Sequence, residues 1–306
     1  MVEIIATVES IEQATAIMPY IDTLFFGEET FGLRLPASFS REEQSTLIQM
    51  AHQAGKKVTI AVNGIMHPEK MTLIPEYLRF LRAQAADQIA IGDPGIIYRM
   101  QQNPECALPF IYAAETLVTS ARQINFWGRK GAIGAVLARE VPFDEMKDLA
   151  PQVDIPVEVL VYGATCIHQS KRPLLQNYYH YTQQTEEKNH KRGLFLSEPK
   201  KEETHYSIYE DSHGTHIFAN NDLNLMEQLL ELTEHGYHTW KLDGLYTRGT
   251  DFVDIAALFA QAKAAIETNQ FTTADAVHLS TQIQALHPQN RGLDTGFYSF
   301  DRDDIK

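Results

Sequence analysis

The residues of this sequence best placed for chemistry are charged and polar side chains at the ends of short apolar runs. They are Arg34, Asn63, Asp93, Glu115, Arg139 with Glu140, Glu158, Tyr162, and Lys241 with Asp243. Such groups beside apolar segments must pair or face a cavity, because burying an unpaired charge is costly. Acids and bases together suit a clamp for a small anionic ligand, with arginine able to hold a carboxylate or phosphate through two parallel bonds. Ion pairs that tie a fold together use the same residue types. Asp93, just before Pro94-Gly95, also suits a helix N-cap. The candidates for nucleophilic or acid–base work are Glu158, Cys166 and Lys241. No histidine or asparagine partner for Cys166 can be assigned from spacing. His168 lies two positions beyond it, but two ligands do not make a metal site. The twelve histidines include no His-Glu-x-x-His pair, so no metal is expected.

Apolar runs alternating with amphipathic ones would position these residues. Expected strands are Glu3–Val8, Thr23–Gly27, Lys57–Asn63, Gln88–Asp93, Leu108–Ala114, Ala132–Ala138, Val157–Gly163 and Thr239–Gly244. Short Val- and Ile-rich runs closed by Gly, Asn or Asp are typical of buried parallel strands. Helices are expected over Ser40–Ala54, which opens with a capping box (Ser40, Glu43), and over Met71–Ala85, Thr119–Arg129, Phe143–Ala150, Asp222–His235 and Asp251–Thr268. Eight strands alternating with helices indicate an α/β fold, a (β/α)8 TIM-type barrel. No Gly-x-Gly-x-x-Gly follows the first strand to favour a doubly wound sheet. The barrel is expected over 1–268, with a long insertion after the seventh strand at 164–221. Within it, Gln183–His190 is polar, and His205–Tyr209 and Thr215–Ala219 read as strands. The remaining 269–306 read as an irregular C-terminal extension packing on the barrel.

Composition narrows the function. A length of 306 residues suits a barrel of about 250 residues plus insertions. A formal charge of −14 argues against unaided nucleic-acid binding, which rests on a basic surface. The run Lys188–Arg192 departs from that trend and reads as a solvated loop. Cys106 and Cys166 are the two cysteines, too few for a disulfide framework or a four-thiolate site. No apolar run approaches the ~20 residues that span a bilayer, and the opening Met1-Val2-Glu3-Ile4-Ile5 has no basic region. A cytoplasmic protein without a membrane partner is expected.

Several motifs then point the same way. They are Phe25-Phe26-Gly27 with Phe31-Gly32-Leu33-Arg34, Ala51–Val58 leading to Asn63, Ile91–Gly95, Ala138-Arg139-Glu140, Glu158–Cys166, Lys241–Gly244 and Arg291–Tyr298. In this order and spacing they resemble the collagenase-like peptidase family U32, over nearly the whole chain. The resemblance implies two kinds of activity. Some members are described as proteases or collagenases of unassigned mechanism. Others take part in RNA modification, including hydroxylation of the tRNA wobble uridine in a process linked to prephenate. The short form of the family resembles one of a pair of adjacent bacterial subunits needed for that hydroxylation.

The departures from the family pattern matter as much. Its second cysteine position is held by Pro173, and Arg192-Gly193-Leu194-Phe195 lacks the two that usually follow. Its usual His is Tyr162, its Ser and Gln near the fifth strand are Ala113 and Glu115, and Lys241–Leu245 lacks its arginine. An iron–sulfur cluster is therefore not expected, and no cofactor is. The resemblance implies an accessory subunit in tRNA wobble-uridine hydroxylation. It would act with a longer cysteine-bearing paralogue, reach tRNA indirectly, and take a small dicarboxylate such as prephenate. The alternatives are a collagenase-like hydrolase and a small-anion-binding barrel using Arg34, Arg139 and Lys241.

Overall fold

Seven apolar runs form the first strands of a closed parallel ring: β1 (Glu3–Thr7), β2 (Thr23–Gly27), β3 (Lys57–Val62), β4 (Gln88–Ile91), β5 (Phe110–Tyr112), β6 (Ala132–Val136) and β7 (Val157–Ser170). An excursion through β8 (Leu194–Glu198), β9 (Lys201–Asp211) and β10 (Gly214–Asn224) precedes β11 (Thr239–Leu242), which pairs in parallel with both β7 and β1 and closes the ring. This computed structural model describes residues 1–183 and 193–301. The run Lys188–Arg192 and most of Gln183–His190 lie outside them. The fold is the expected (β/α)8 barrel with an insertion after its seventh strand.

Helices α1 (Ile11–Ile17), α2 (Arg41–Gln53), α3 (Pro68–Ala83), α4 (Pro94–Gln102), α5 (Ala121–Arg129) and α6 (Phe143–Leu149) follow the first six strands. Next come α7 (Leu174–Tyr181) in the insertion, α8 (Leu229–Glu234) before β11, and α9 (Gly249–Glu267) with α10 (Thr273–Leu286) after it. Among the described residues, no helix is long and apolar enough to cross a membrane. The capping box of α2 forms as expected: Glu43 N donates to Ser40 Oγ and Ser40 N donates to the Glu43 carboxylate. The main core lies between strands and helices, around Phe26, Tyr77 and Trp240. A smaller cluster fills the barrel itself and includes Ile5, Phe25, Ala61, Ala90 and Ala113. Alanines at three of these positions leave the upper barrel unfilled, and that space becomes the cavity described below.

Strand β7 has two roles. Its first half is barrel wall; its second half runs beyond the barrel and pairs antiparallel with β10, as in Asp222 opposite Ala164 and Phe218 opposite Cys166. The turn-over point is Gly163, with φ at +126°; a Cβ there would lie 2.4 Å from the carbonyl oxygen of Asp243. Only glycine accepts that backbone and that proximity together.

Two regions differ from the sequence reading. Residues Asp222–Asn224 end β10, so the helix expected over Asp222–His235 is only α8, Leu229–Glu234, preceded by a tight turn. Cross-strand pairing with β7 outweighs the local helical pattern. The residues after Thr268 are not irregular: α10 starts at a second capping box, Thr272 with Asp275, and packs on α9, and β12 (Gly292–Asp294) pairs with β10. Arg291, just before β12, is buried. Its Nε donates to both oxygens of Asp222 at 3.0 Å, Nη1 donates to Ser207 Oγ, and the guanidinium lies 4.5 Å from the centre of the Tyr246 ring.

Candidate functional site

Seven of the predicted residues converge at the carboxyl ends of the barrel strands. Arg34, Asn63, Glu115, Arg139, Glu158, Lys241 and Asp243 line one cavity of about 60 Å³, with Thr7 and Phe25 in its wall. That is room for roughly four waters at ~15 Å³ each, enough for one carboxylate or similar head group. Asn63 is structural as well: its Oδ1 accepts from Leu33 N at 2.9 Å and so fixes the loop that carries Arg34. Gly244 N donates to Thr7 Oγ1 at 2.8 Å, which holds the loop after β11 against β1.

Arg34 and Glu115 form an ion pair at 2.7 Å, and both have positive φ, +51° and +53°. Non-glycine residues rarely hold that backbone, and such conformations gather at functional sites. Burial works to raise the Glu115 carboxyl, but the charges of Arg34 and Arg139 outweigh it and hold the proton affinity low. Glu115 is therefore ionised. Glu158 behaves in the opposite sense. It is buried on β7, its Oε2 has no hydrogen-bond partner, and burial raises its carboxyl despite Lys241. Burial also raises Asp243, against the pull of Arg139 and Lys241. Lys241 is pushed down to about 8 by burial, with Glu158 and Asp243 opposing the shift. Its Nζ lies 3.0 Å from the centre of the Phe25 ring, a cation–π contact. Arg139 makes no ion pair among the described residues and donates to Ala164 O at 3.0 Å.

The sum of these charges is informative. Two of the three acids are biased towards the neutral form by burial, and they stand beside two arginines and Lys241. This balance of side chains can meet an anion, with Arg139 as the least committed donor. Glu158 and Lys241 influence each other's proton affinity across the cavity.

The other predicted residues lie elsewhere. Asp93 is the N-cap of α4: Oδ1 accepts from Gly95 N at 2.7 Å and Oδ2 from Met66 N at 2.9 Å. Glu140 does not line the cavity. Tyr162 points away from it, into the helical layer. The phase of β7 shifts at an irregularity opposite Lys241 and Leu242, and the Tyr162 hydroxyl bonds to Thr247 Oγ1 and His287 Nδ1, both at 2.8 Å.

Cys166 stands above the cavity on the inserted sheet. Two residues that spacing did not reveal, His216 and Asp211, bear on it. His216 on β10 is buried, and its Nε2 bonds to Asp211 Oδ1 at 2.8 Å. The opposite nitrogen, Nδ1, makes no hydrogen bond among the described residues, and the thiol donates instead to His168 O at 3.4 Å. The imidazole and the thiol nevertheless influence each other's proton affinity. Burial alone would raise Cys166, but His216, and then the charge of Arg34, outweigh it and lower the thiol. Burial likewise opposes a charged His216, and the bond to Asp211 and the thiol together raise its affinity above the ordinary value. Arg34 links the two levels, because its Nη1 donates to Gln169 Oε1 on β7 at 2.9 Å.

A four-thiolate cluster does not fit this donor set. The other cysteine, Cys106, is buried against α3, where its thiol donates to Pro75 O at 3.5 Å. No group of three or more His, Cys, Asp and Glu with metal-holding geometry occurs among the described residues.

The model of peptidase family U32 matches residues 8–306. The tRNA hydroxylation protein P2 of Bacillus subtilis is 34% identical over 277 residues, 89% of this chain and 89% of that one. The tRNA hydroxylation protein P1 of the same organism is 27% identical, over 79% of this chain and 58% of that one. The tRNA hydroxylation protein P of Escherichia coli is 24% identical, over 73% and 59%. The chain thus spans less than two thirds of the length of P1 and P. Among solved structures, a putative dihydrodipicolinate synthetase from Pseudomonas aeruginosa superposes with a TM-score of 0.50 at 8% identity, over 94% of this chain and 83% of that one. That likeness concerns the barrel fold alone.

Proposed function

The chain belongs to peptidase family U32, and from that premise we propose that it serves tRNA hydroxylation as the accessory member of a pair. The other member is a longer, cysteine-bearing paralogue. The observation that carries this reading is the likeness to tRNA hydroxylation protein P2 over 89% of both chains. The thiol inventory supports the accessory role, since Cys166 has no second cysteine near it to share a cluster. The charge of −14 supports reaching tRNA mainly through the partner. The cationic balance of the barrel cavity supports a small carboxylate as its ligand, with Arg139 and Lys241 meeting the anion. A dicarboxylate such as prephenate fits that chemistry.

Two measurements test the proposal. Deleting the gene should abolish wobble-uridine hydroxylation, read by mass spectrometry of digested tRNA, and affinity purification should recover the cysteine-bearing paralogue. Intact hydroxylation in the deletion strain, with no paralogue recovered, sinks it. Prephenate should raise the melting temperature of the wild type but not of Arg139→Leu.

The Cys166–His216–Asp211 chain favours a second reading, a hydrolase acting through a thiolate. The thiolate would attack an acyl carbon, imidazolium would protonate the leaving group, and water, deprotonated by the imidazole, would then hydrolyse the thioester and return the thiolate. Turnover of peptide or ester substrates by the pure protein, lost in Cys166→Ala and in His216→Gln, would support it. Absence of turnover at any pH between 6 and 9 counts against it.

A further inference from the structure

Beside the barrel mouth lies a second cleft, and its charge runs against that of the chain. It measures about 280 Å³ and is lined by Ile65, His67, Lys70, Gln169, Lys171 and His213. Three separate segments build it: the loop from β3 into α3 with the first turn of that helix, the end of β7 with the residue after it, and the turn between β9 and β10. In a chain of formal charge −14, two lysines converge on one cleft, and neither has a carboxylate within 4 Å among the described residues.

Their local partners are neutral. Lys70 Nζ donates to Ser212 Oγ at 3.1 Å and lies 3.4 Å from His213 Nε2; Lys171 Nζ donates to Ser212 O at 2.8 Å. An ammonium has three donors, so each lysine keeps at least one for a ligand. Burial and then the neighbouring charge of Lys171 lower the proton affinity of Lys70, while Asp211 and Glu29 oppose the shift from farther away. Both acids are engaged elsewhere. Asp211 takes His216 and the backbone N–H of His213, and Glu29 accepts from Ser212 N at 3.1 Å. His213 is buried and biased to its neutral form, and its Nε2 bonds to Glu29 O at 2.7 Å. Gln169 gives its Oε1 to Arg34, which leaves its NH2 as a donor. The cleft therefore offers ammonium and amide donors, with no carboxylate among its lining residues. It touches the barrel mouth through the Gln169–Arg34 bond.

We propose that this cleft binds a phosphodiester group of an RNA strand and so delivers the neighbouring nucleotide to the barrel mouth. This role rests on the tRNA reading above and adds a contact of the chain's own. A compact anion satisfies two facing ammonium groups, relieves their repulsion, and ties the insertion to the β3–α3 loop. A free phosphate would satisfy the same donors. A strand additionally explains the position beside the mouth. The unfavourable overall charge makes this a local grip that works at short range, once RNA is already near.

The test compares wild type, Lys70→Gln/Lys171→Gln, and a charge-matched control, Lys130→Gln/Lys147→Gln. Binding of a tRNA transcript is followed by fluorescence anisotropy between 20 and 150 mM salt, and melting temperature is followed with inorganic phosphate. The cleft variant should bind at least about tenfold more weakly, and its log–log salt slope should be shallower by about two, roughly one per phosphate-contacting lysine. The control should keep most of the wild-type affinity and slope. Equal tRNA binding by wild type and cleft variant at 20 mM salt overturns the proposal. Phosphate stabilisation lost in the cleft variant without any change in tRNA binding also overturns it, leaving a free-anion site. If RNA binding needs the lysine pair but gene deletion leaves hydroxylation intact, the cleft stands and the tRNA hydroxylation reading falls. If deletion abolishes hydroxylation but the pair is dispensable for RNA, the reverse holds.

Discussion

Replacing Arg291 with alanine should be among the most damaging single changes outside the main core. The guanidinium has three attachments: both oxygens of Asp222, the hydroxyl of Ser207, and the carbonyl of Ala219 at 3.0 Å. Its removal leaves Asp222, 1% exposed, with His287 Nε2 at 3.7 Å as its nearest ion-pair partner. Burial disfavours a charged His287, so the imidazole is a poor substitute cation. Breaking a buried pair from one side costs about 3–5 kcal/mol. An unfolding entropy of roughly 2.1 cal/mol/K per residue gives about 0.64 kcal/mol/K for 306 residues. The melting temperature of Arg291→Ala should therefore fall by about 5–8 °C, read by calorimetry. Hydrogen exchange should show the loss first in β9, β10 and β12, which the arginine joins. The double variant Arg291→Met/Asp222→Leu removes both charges, so it should recover much of the loss. A shift below about 1 °C for Arg291→Ala, or a double variant as unstable as the sum of the two singles, refutes the buried-pair argument.

Other outcomes follow from the site and its frame. Gly163→Ala should destabilise by more than about 1–2 kcal/mol in denaturant titration, because a Cβ meets the Asp243 carbonyl and the backbone is left-handed. Tyr162→Phe should cost about 1–3 kcal/mol, since it strips a buried partner from Thr247 and His287. Lys241 holds its proton to about pH 8 in the fold and to about 10.4 when unfolded. Between those values the unfolded chain binds more protons, so stability gains with rising pH. The wild type should accordingly improve relative to Lys241→Met from pH 8 to 10, and a flat difference contradicts the assignment. Iodoacetamide should alkylate Cys166 at lower pH than an ordinary thiol, and His216→Gln should shift that profile upward.

The barrel was legible because buried parallel strands leave short Val- and Ile-rich runs, such as Lys57–Val62, and all eight lie where those runs do. Seven mouth residues were legible for the same reason: strand ends in a barrel face one opening. Other relations are not written locally. Tyr162 left the mouth because a strand irregularity shifted its phase, and no single residue type announces that. His216 and Asp211 join Cys166 only through hairpin pairing about 50 residues further along the chain. The Thr272–Asp275 capping box that opens α10 was present in the sequence, but the apolar spacing behind it is sparse. The lysines of the second cleft lie about 100 residues apart, and neither stands out where it occurs.

The continuity of β7 also constrains how such a chain can diverge. A residue gained or lost between Val157 and Gly163 would turn every following side chain to the opposite face. Ala164 would then no longer stand opposite Asp222, and the pairings along β10 would change together. The root of the insertion is therefore inherited with the barrel as one unit. Beyond Ser170 the chain leaves the barrel's register, and length can vary there without disturbing the mouth. A new recognition surface can arise at the tip while the barrel cavity below keeps its geometry.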